Sequence, residues 1–455
     1  MVLLGLAAFL PSLAAALFMP VPMPQSDSLD YLAYARSIHV AGTYAATPGG
    51  PSLDRRPGRE PLYPLLVAGV AEVSPSLARS LDQCADPTIE SCRAGYRPLI
   101  FVNALLLGGA ALLAGLTVLA MGGGPAAAWI GTLYVAANLH MYKDLKYALS
   151  DYLAVFLCAA LTAALAHRKW TCAGFAAAAL ALTKAVFLPF GLLLSLVLAC
   201  RGERRAGALI AALVLVVNIG WMDRNIALFG VAGDGRDGVA LSTREVFDHM
   251  SPAEHRAAWL WWLRGPGAGL ARKTLPPEAW QRHDWDAENG FYQEGQLLEP
   301  GRIVADLMKN GVHDQVAAEA GVKAVVARRM LADWPHYLAT MPVLFYRGLW
   351  FDEFIAIGLP LLLVVLWLSA RARAWDRLIV LAPGLWSLLV YPAISLNIPR
   401  YQYTAVMGLG LAAGLAWQLH RDAGATRALR RMESGVGARQ QTVHAVALAA
   451  AADAD

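Results

Sequence analysis

Acidic and basic residues recur together at the ends of apolar segments. Asp27-Ser28-Leu29-Asp30-Tyr31 follows the first apolar run. Arg55-Arg56-Pro57-Gly58-Arg59-Glu60-Pro61-Leu62-Tyr63-Pro64 leads into another. Ser150-Asp151 lies within a third, and Lys184 interrupts a fourth. Trp221-Met222-Asp223-Arg224-Asn225 closes one, and Asn397-Ile398-Pro399-Arg400-Tyr401 lies between the last two. A carboxylate at such a boundary can take a proton from a hydroxyl. Guanidinium groups hold phosphate through forked hydrogen bonds. A base among cations at an apolar boundary is the equipment for moving a group off a phosphate. Each residue alone also has a plainer reading. Asp27 suits a helix N-cap, with Tyr31, Tyr34, Ala35 and Ile38 following at helical spacing. The arginines suit a solvated loop or headgroup anchors, and Lys184 suits snorkelling to the interface.

The elements that must position these groups follow from composition. The chain has 455 residues, 57% hydrophobic and 16% charged, with mean hydropathy +0.45. Soluble domains carry about 25% charge. A cytosolic enzyme, a disordered chain and a coiled coil are therefore excluded. Net charge is +4 with basic residues scattered, so no nucleic acid partner is expected. The expected class is an all-α polytopic membrane protein.

Apolar runs long enough for spans cover residues 1–21, 97–121, 126–141, 147–166, 206–222, 354–369, 378–396 and 401–419. The first run lacks a positive start and a clear cleavage site, and is read as an uncleaved span. Residues 171–200 are too long for one crossing, and Lys184 and Pro189 interrupt them. Two short helices meeting near Lys184 are expected there. Basic clusters at His167-Arg168-Lys169, 201–205, 371–377 and beyond His420 all fall on the cytoplasmic side if 171–200 is a hairpin. That gives about ten transmembrane helices, with both termini cytoplasmic. The acidic and basic segments then share the outer face.

The expected division is an N-terminal transmembrane module over 1–222, with a first outer loop at 22–96 containing juxtamembrane helices. A modest helical outer (periplasmic) segment covers 223–335. A juxtamembrane helix and the last three transmembrane helices cover 336–420, and a disordered cytoplasmic tail covers 421–455. Trp259, Trp261, Trp262 and Trp280 are expected at the headgroup level. Cys84 and Cys92 lie in the first outer loop, and an oxidising compartment would favour a disulfide between them. Cys158, Cys172 and Cys200 read as small apolar residues. No strong metal motif is present and no cofactor is certain. Asp27, Asp30 and Asp151 carry the hard oxygen ligands a divalent metal would use.

Taken in order, these segments resemble the GT-C superfamily of integral-membrane glycosyltransferases. The nearer branch holds protein O-mannosyltransferases and the lipid A aminoarabinose and galacturonic acid transferases. The resemblance runs over about 27–419 and is weakest through 235–333. It rests on D-[ES]-x-x-Y at Asp27–Tyr31, R-x-P-x-Y-P at Arg59–Pro64, Ser150-Asp151, Leu182-Thr183-Lys184, W-x-x-R-N-x-x-x-F-G from Trp221 to Gly230, and Arg400-Tyr401. Lys184 is followed by Ala185 rather than the frequent proline, and only the modest 223–335 segment is expected where many relatives carry a large C-terminal outer domain.

The resemblance implies a GT-C-like fold and an inverting transfer from a polyprenyl-phosphate sugar. It implies Asp27 as general base and Asp151 as the second acidic position. Arg59, Lys184, Arg224 and Arg400 would bind the donor phosphate, with Asp30, Tyr31, Tyr63, Asn225 and Tyr401 lining the site. The acceptor would be a glycan, lipid or protein hydroxyl at the bilayer; apart from the resemblance, the short loops favour a bacterial inner membrane. Competing classes are a polyprenyl-linked glycan ligase or polymerase and a lipid-linked sugar transporter. A transporter should show paired broken helices in repeated halves, and no repeat is visible.

Overall fold

The computed structural model describes residues 1–45, 59–230, 232 and 237–423. Arg55, Arg56 and the tail from 424 fall outside the described residues. Among the described residues every regular element is helical. Three helices among the described residues are long and apolar enough to cross a membrane: Glu90–Ala120, Arg204–Phe229 and Trp375–Ile394. A fourth span is reached if Trp334–Phe351 and Ile355–Arg371, bent by 114°, count as one. Val2–Phe18, Leu62–Val73, Asp151–Ala166, Trp170–Ala181 and Phe187–Cys200 are apolar but shorter. Helix length alone therefore does not reach the expected ten crossings. Several helices begin or end at a polar residue that the fold uses. Asp151 opens one, and the break between Ala181 and Phe187 holds Lys184.

The core is built from small residues. Ala104, Ala110, Ala111 and Ala114 on one face of the Arg97–Ala120 helix are fully buried. Such residues let helix backbones approach closely, which matters where lipid supplies no hydrophobic drive between helices. One close crossing pairs Gly384 with Gly408. A Cβ on Gly384 would lie 2.5 Å from the Gly408 nitrogen.

The first helix, Val2–Phe18, is fixed by its neighbour. Ser12 donates to the Ala104 carbonyl at 2.9 Å. Arg97 donates to the carbonyls of Met19 (2.6 Å), Ala16 (3.0 Å) and Leu17. Those are carbonyls a helix C-terminus leaves without partners. The clamp sets where the chain leaves the bundle and enters the helix Asp27–Ala41. Further along the first loop, a disulfide joins Cys84 and Cys92, with Cα atoms 6.4 Å apart.

The segment after the Arg204–Phe229 helix is also helical and carries its own small cores. Arg244, wholly buried, ties it to the last helices. Its guanidinium donates to the Pro392 carbonyl (2.8 Å), the Tyr337 carbonyl (2.7 Å), the Thr340 hydroxyl (2.8 Å) and Asp248. The tryptophans expected as interface anchors also pair within the protein. Trp261 stacks on Trp280 at 5.3 Å, and Trp262 packs on Phe247 at 5.8 Å.

His283 lies beside that second pair and donates from Nε2 to the Glu254 carbonyl at 2.8 Å. Burial, with help from the Arg347 and Arg282 charges, pushes its imidazole down to about 4. An unfolded histidine titrates near 6.5. The unfolded chain therefore binds this proton first as pH falls, and stability is lost between about pH 6.5 and 4. Proteolysis of this segment is expected to accelerate over that window. His283→Gln is expected to flatten the upper part of the pH dependence, before carboxylates titrate.

Candidate active site

Asp27 is the first residue of its helix, after a bend in which Ser26 takes φ 51°. It was expected as an N-cap. Ser26 instead takes the N-cap position, and the Asp27 carboxylate is engaged elsewhere. One oxygen accepts from Arg59 and the other from Arg400. Asp30, one helical turn on and on the same face, accepts from the Arg59 Nε at 3.1 Å and Nη2 at 3.0 Å. Arg59 thus bridges two carboxylates in a forked geometry that lysine would not reproduce. Burial pushes the Asp27 carboxyl up, but the two guanidinium charges outweigh it and hold the group below the ordinary carboxylate range.

Arg59 is delivered by a short segment that docks on the Lys184 break. The Leu62 amide donates to the Leu182 carbonyl at 3.2 Å, and the Ala185 amide donates to Glu60 at 3.2 Å. Arg400 is delivered by the turn after the Trp375–Ile394 helix. There Asn397 takes φ 51° and donates to the Leu344 carbonyl at 2.8 Å. Asparagine tolerates that left-handed conformation better than most residues.

Lys184 and Asp151 form a second pair beside the first. Nζ lies 2.9 Å from Oδ1, with the lysine side chain 14% and the aspartate 5% exposed. Snorkelling was the plainer reading of Lys184; the structure instead turns it inward onto Asp151. Ser150, next to Asp151, shares a hydrogen bond of 2.9 Å with the Tyr31 hydroxyl. Tyr31 packs edge-on against buried Tyr63 at 5.1 Å. Tyr401 stacks on Tyr391 at 4.9 Å, and its ring faces Lys184 at 5.9 Å and Arg400 at 5.8 Å.

Arg224 stands apart from this cluster. It makes no ion pair with a described carboxylate. It donates to the Tyr44 carbonyl at 2.7 Å and to Asn225 at 2.8 Å. Its guanidinium lies 4.7 Å from the Trp221 ring and 5.2 Å from Tyr44. Tyr44 in turn donates to the Arg59 carbonyl at 2.6 Å. Arg224 therefore supports Arg59 through one tyrosine rather than joining the carboxylates directly.

Asp27, Asp30 and Asp151 do not form a ligand set in this arrangement. Two of them face Arg59 and Arg400, and the third faces Lys184. No group of three metal-ligating side chains converges among the described residues.

Sequence reasoning missed four neighbours. Glu60 holds the Ala185 amide, and Tyr44 joins Arg59 to Arg224. Tyr292 lies within electrostatic range of Asp27, Arg400 and Tyr401. Arg347 reaches toward Tyr401 while packed between Trp262 and Phe247. Only Glu60 carried a signal, since it lies inside the Arg59–Pro64 element.

The cluster presents three cations around three carboxylates. It can exchange an internal carboxylate for an external phosphate, because both are oxyanions that arginine binds bidentately.

No family model and no curated protein matches the chain. Among solved structures it is similar to the archaeal oligosaccharyltransferase AglB from Archaeoglobus fulgidus, determined with an inhibitory peptide and a dolichol-phosphate. The TM-score is 0.49 at 14% sequence identity, over 94% of this chain and 51% of that one. The chain thus spans about half the length of that structure.

Proposed function

We propose that this protein is an inverting glycosyltransferase. It moves a sugar from a polyprenyl-phosphate donor to a hydroxyl of a glycan, lipid or protein acceptor. The observation that carries the reading is the meeting of Asp27 with Arg59 and Arg400, beside Asp151 and Lys184, at the ends of apolar helices. The site faces the outer side of a bacterial inner membrane. About ten crossings put the basic turns and both termini in the cytoplasm, following the positive-inside rule.

The chemistry follows from charge. The donor phosphate competes with Asp27 for Arg59 and Arg400, and Lys184 adds a third cation. Giving up its guanidinium partners raises the basicity of Asp27 when the acceptor needs a base. Asp27 takes the acceptor hydroxyl proton as that oxygen bonds to the anomeric carbon. The carbon–oxygen bond to phosphate breaks, through a centre resembling that of glycoside cleavage. One displacement inverts the anomeric configuration and releases polyprenyl phosphate. The cations stabilise the charge that develops on the leaving phosphate, often the larger contribution to rate. Asp151 holds Lys184 in place. Tyr31, Tyr63, Asn225 and Tyr401 shape the walls.

The test is sugar transfer in proteoliposomes supplied with polyprenyl-phosphate sugars, read by mass spectrometry of released polyprenyl phosphate. Wild type is expected to turn over, and Arg400→Gln to lose about 10²–10³ in kcat. Undiminished transfer by Arg400→Gln, or use of a soluble sugar nucleotide alone, would overturn the reading.

A further inference from the structure

At the end of the bundle away from Asp27, three turns enclose a cavity of about 370 Å³. The helix Asp151–Ala166 separates the two ends. Its 16 residues run from Asp151 to the cavity wall, a length of about 24 Å. We propose that this cavity binds the phosphate headgroup of an anionic phospholipid from the membrane leaflet on that side.

The rim supplies the charge. Arg168, Arg201, Arg373 and Arg377 line it, against Glu203 and Asp376. Two ion pairs stitch the turns together: Arg168 with Glu203, and Arg201 with Asp376 at 2.7 Å. Arg373 and Arg377 have no carboxylate partner among the described residues, so the rim keeps two uncompensated cations. The floor is apolar, with Leu198 and Val380 buried beneath the rim. Leu192, Leu193, Leu196 and Val197 on the adjoining helix are exposed, a face suited to acyl chains. Trp170 and Trp375 mark the lip, where tryptophan favours the headgroup level. A basic pocket between helices over an apolar flank matches a phosphodiester headgroup with its chains.

The backbone sets two of these arginines apart. Each turn uses one left-handed residue: Arg168 at φ 53°, Gly202 at φ 89° and Arg373 at φ 52°. Glycine adopts that conformation at least cost. Two of the three positions nevertheless carry arginine, and both line the cavity.

Those positions also supply the test, because glycine there removes the guanidinium while suiting the backbone. Full-length protein in neutral detergent is titrated with short-chain phosphatidylglycerol, phosphatidylcholine and inorganic phosphate while thermal unfolding is followed. Phosphatidylglycerol is expected to raise the unfolding temperature saturably, and phosphatidylcholine to leave it unchanged. Arg168→Gly with Arg373→Gly is expected to weaken phosphatidylglycerol by about 25-fold, about fivefold per arginine. Unfolding in neutral detergent should shift only slightly, because the Arg168–Glu203 pair is exposed and weak and glycine suits both left-handed positions. Arg377→Gln carries the same test singly, with about a fivefold loss, should the double variant not fold. Equal stabilisation by phosphatidylcholine, or unweakened phosphatidylglycerol binding by the variants, overturns the proposal. Inorganic phosphate reproducing the full shift assigns a free-anion site and also overturns it.

Discussion

Asp27→Asn is expected to lower kcat for sugar transfer by about 10²–10⁴, the usual contribution of a general base. Donor KM should stay level or fall. Asparagine removes the anion that occupies Arg59 and Arg400, so a donor phosphate no longer competes for them. That split separates a base from a structural ion pair. If Asp27 only held the two arginines in place, its loss would raise donor KM and spare kcat. A raised KM with unchanged kcat would therefore remove Asp27 from the chemistry. The charge balance also predicts a pH signature. In the free enzyme Arg59 and Arg400 keep Asp27 ionised below the ordinary carboxylate range despite burial. The acid limb of kcat/KM, which reports free-enzyme groups, should accordingly lie at lower pH than that of kcat, which reports the donor complex.

The second large effect is expected at Asp151 and Lys184. This pair is buried and salt-bridged at 2.9 Å. Removing either partner strands the other charge among apolar helices, at a cost of about 3–5 kcal/mol. Asp151→Leu and Lys184→Met should each fall in unfolding temperature by a large, similar amount. Combined, they should recover most of the loss, since a buried ion pair exchanged whole for apolar side chains is often neutral in stability. The recovered protein should still transfer sugar poorly, because the phosphate would lack its third cation. Recovery of both stability and activity would make the pair purely structural. Simple additivity of the two losses would mean that the residues do not act as a pair.

Much of this site was legible one segment at a time. Asp27, Arg59, Asp151, Lys184 and Arg400 stood out because charge is scarce in an apolar chain, where each ionisable side chain needs a reason. The helix following Ser26 was legible from its spacing, and the interruption at Lys184 from a lysine and a proline in an overlong apolar run. The capping role of Asp27 and the surface role of Lys184 were not fulfilled. Local patterns describe what a residue can do for its own helix, whereas both side chains are spent on distant partners. Arg224 was implied as a phosphate ligand by the W-x-x-R-N-x-x-x-F-G element; in the structure its guanidinium packs on Trp221 and Tyr44 and reaches Arg59 through that tyrosine. Tyr44, Tyr292 and Arg347 carried no signal, since loop tyrosines and helix arginines are common and only their neighbours make them notable.

The sequence by itself determined the class of the protein: an apolar, helical chain whose few charges gather at helix ends. That follows from composition and periodicity, which are local and additive along the chain. The tertiary structure alone decided the pairing. Asp27 meets Arg400 across 373 positions, and Lys184 meets Asp151 rather than water. Pairing depends on where small residues let helices approach and where a clamp such as Arg97 redirects the chain. Those are properties of the packed bundle, in which a buried charge must find its partner or cost several kcal/mol.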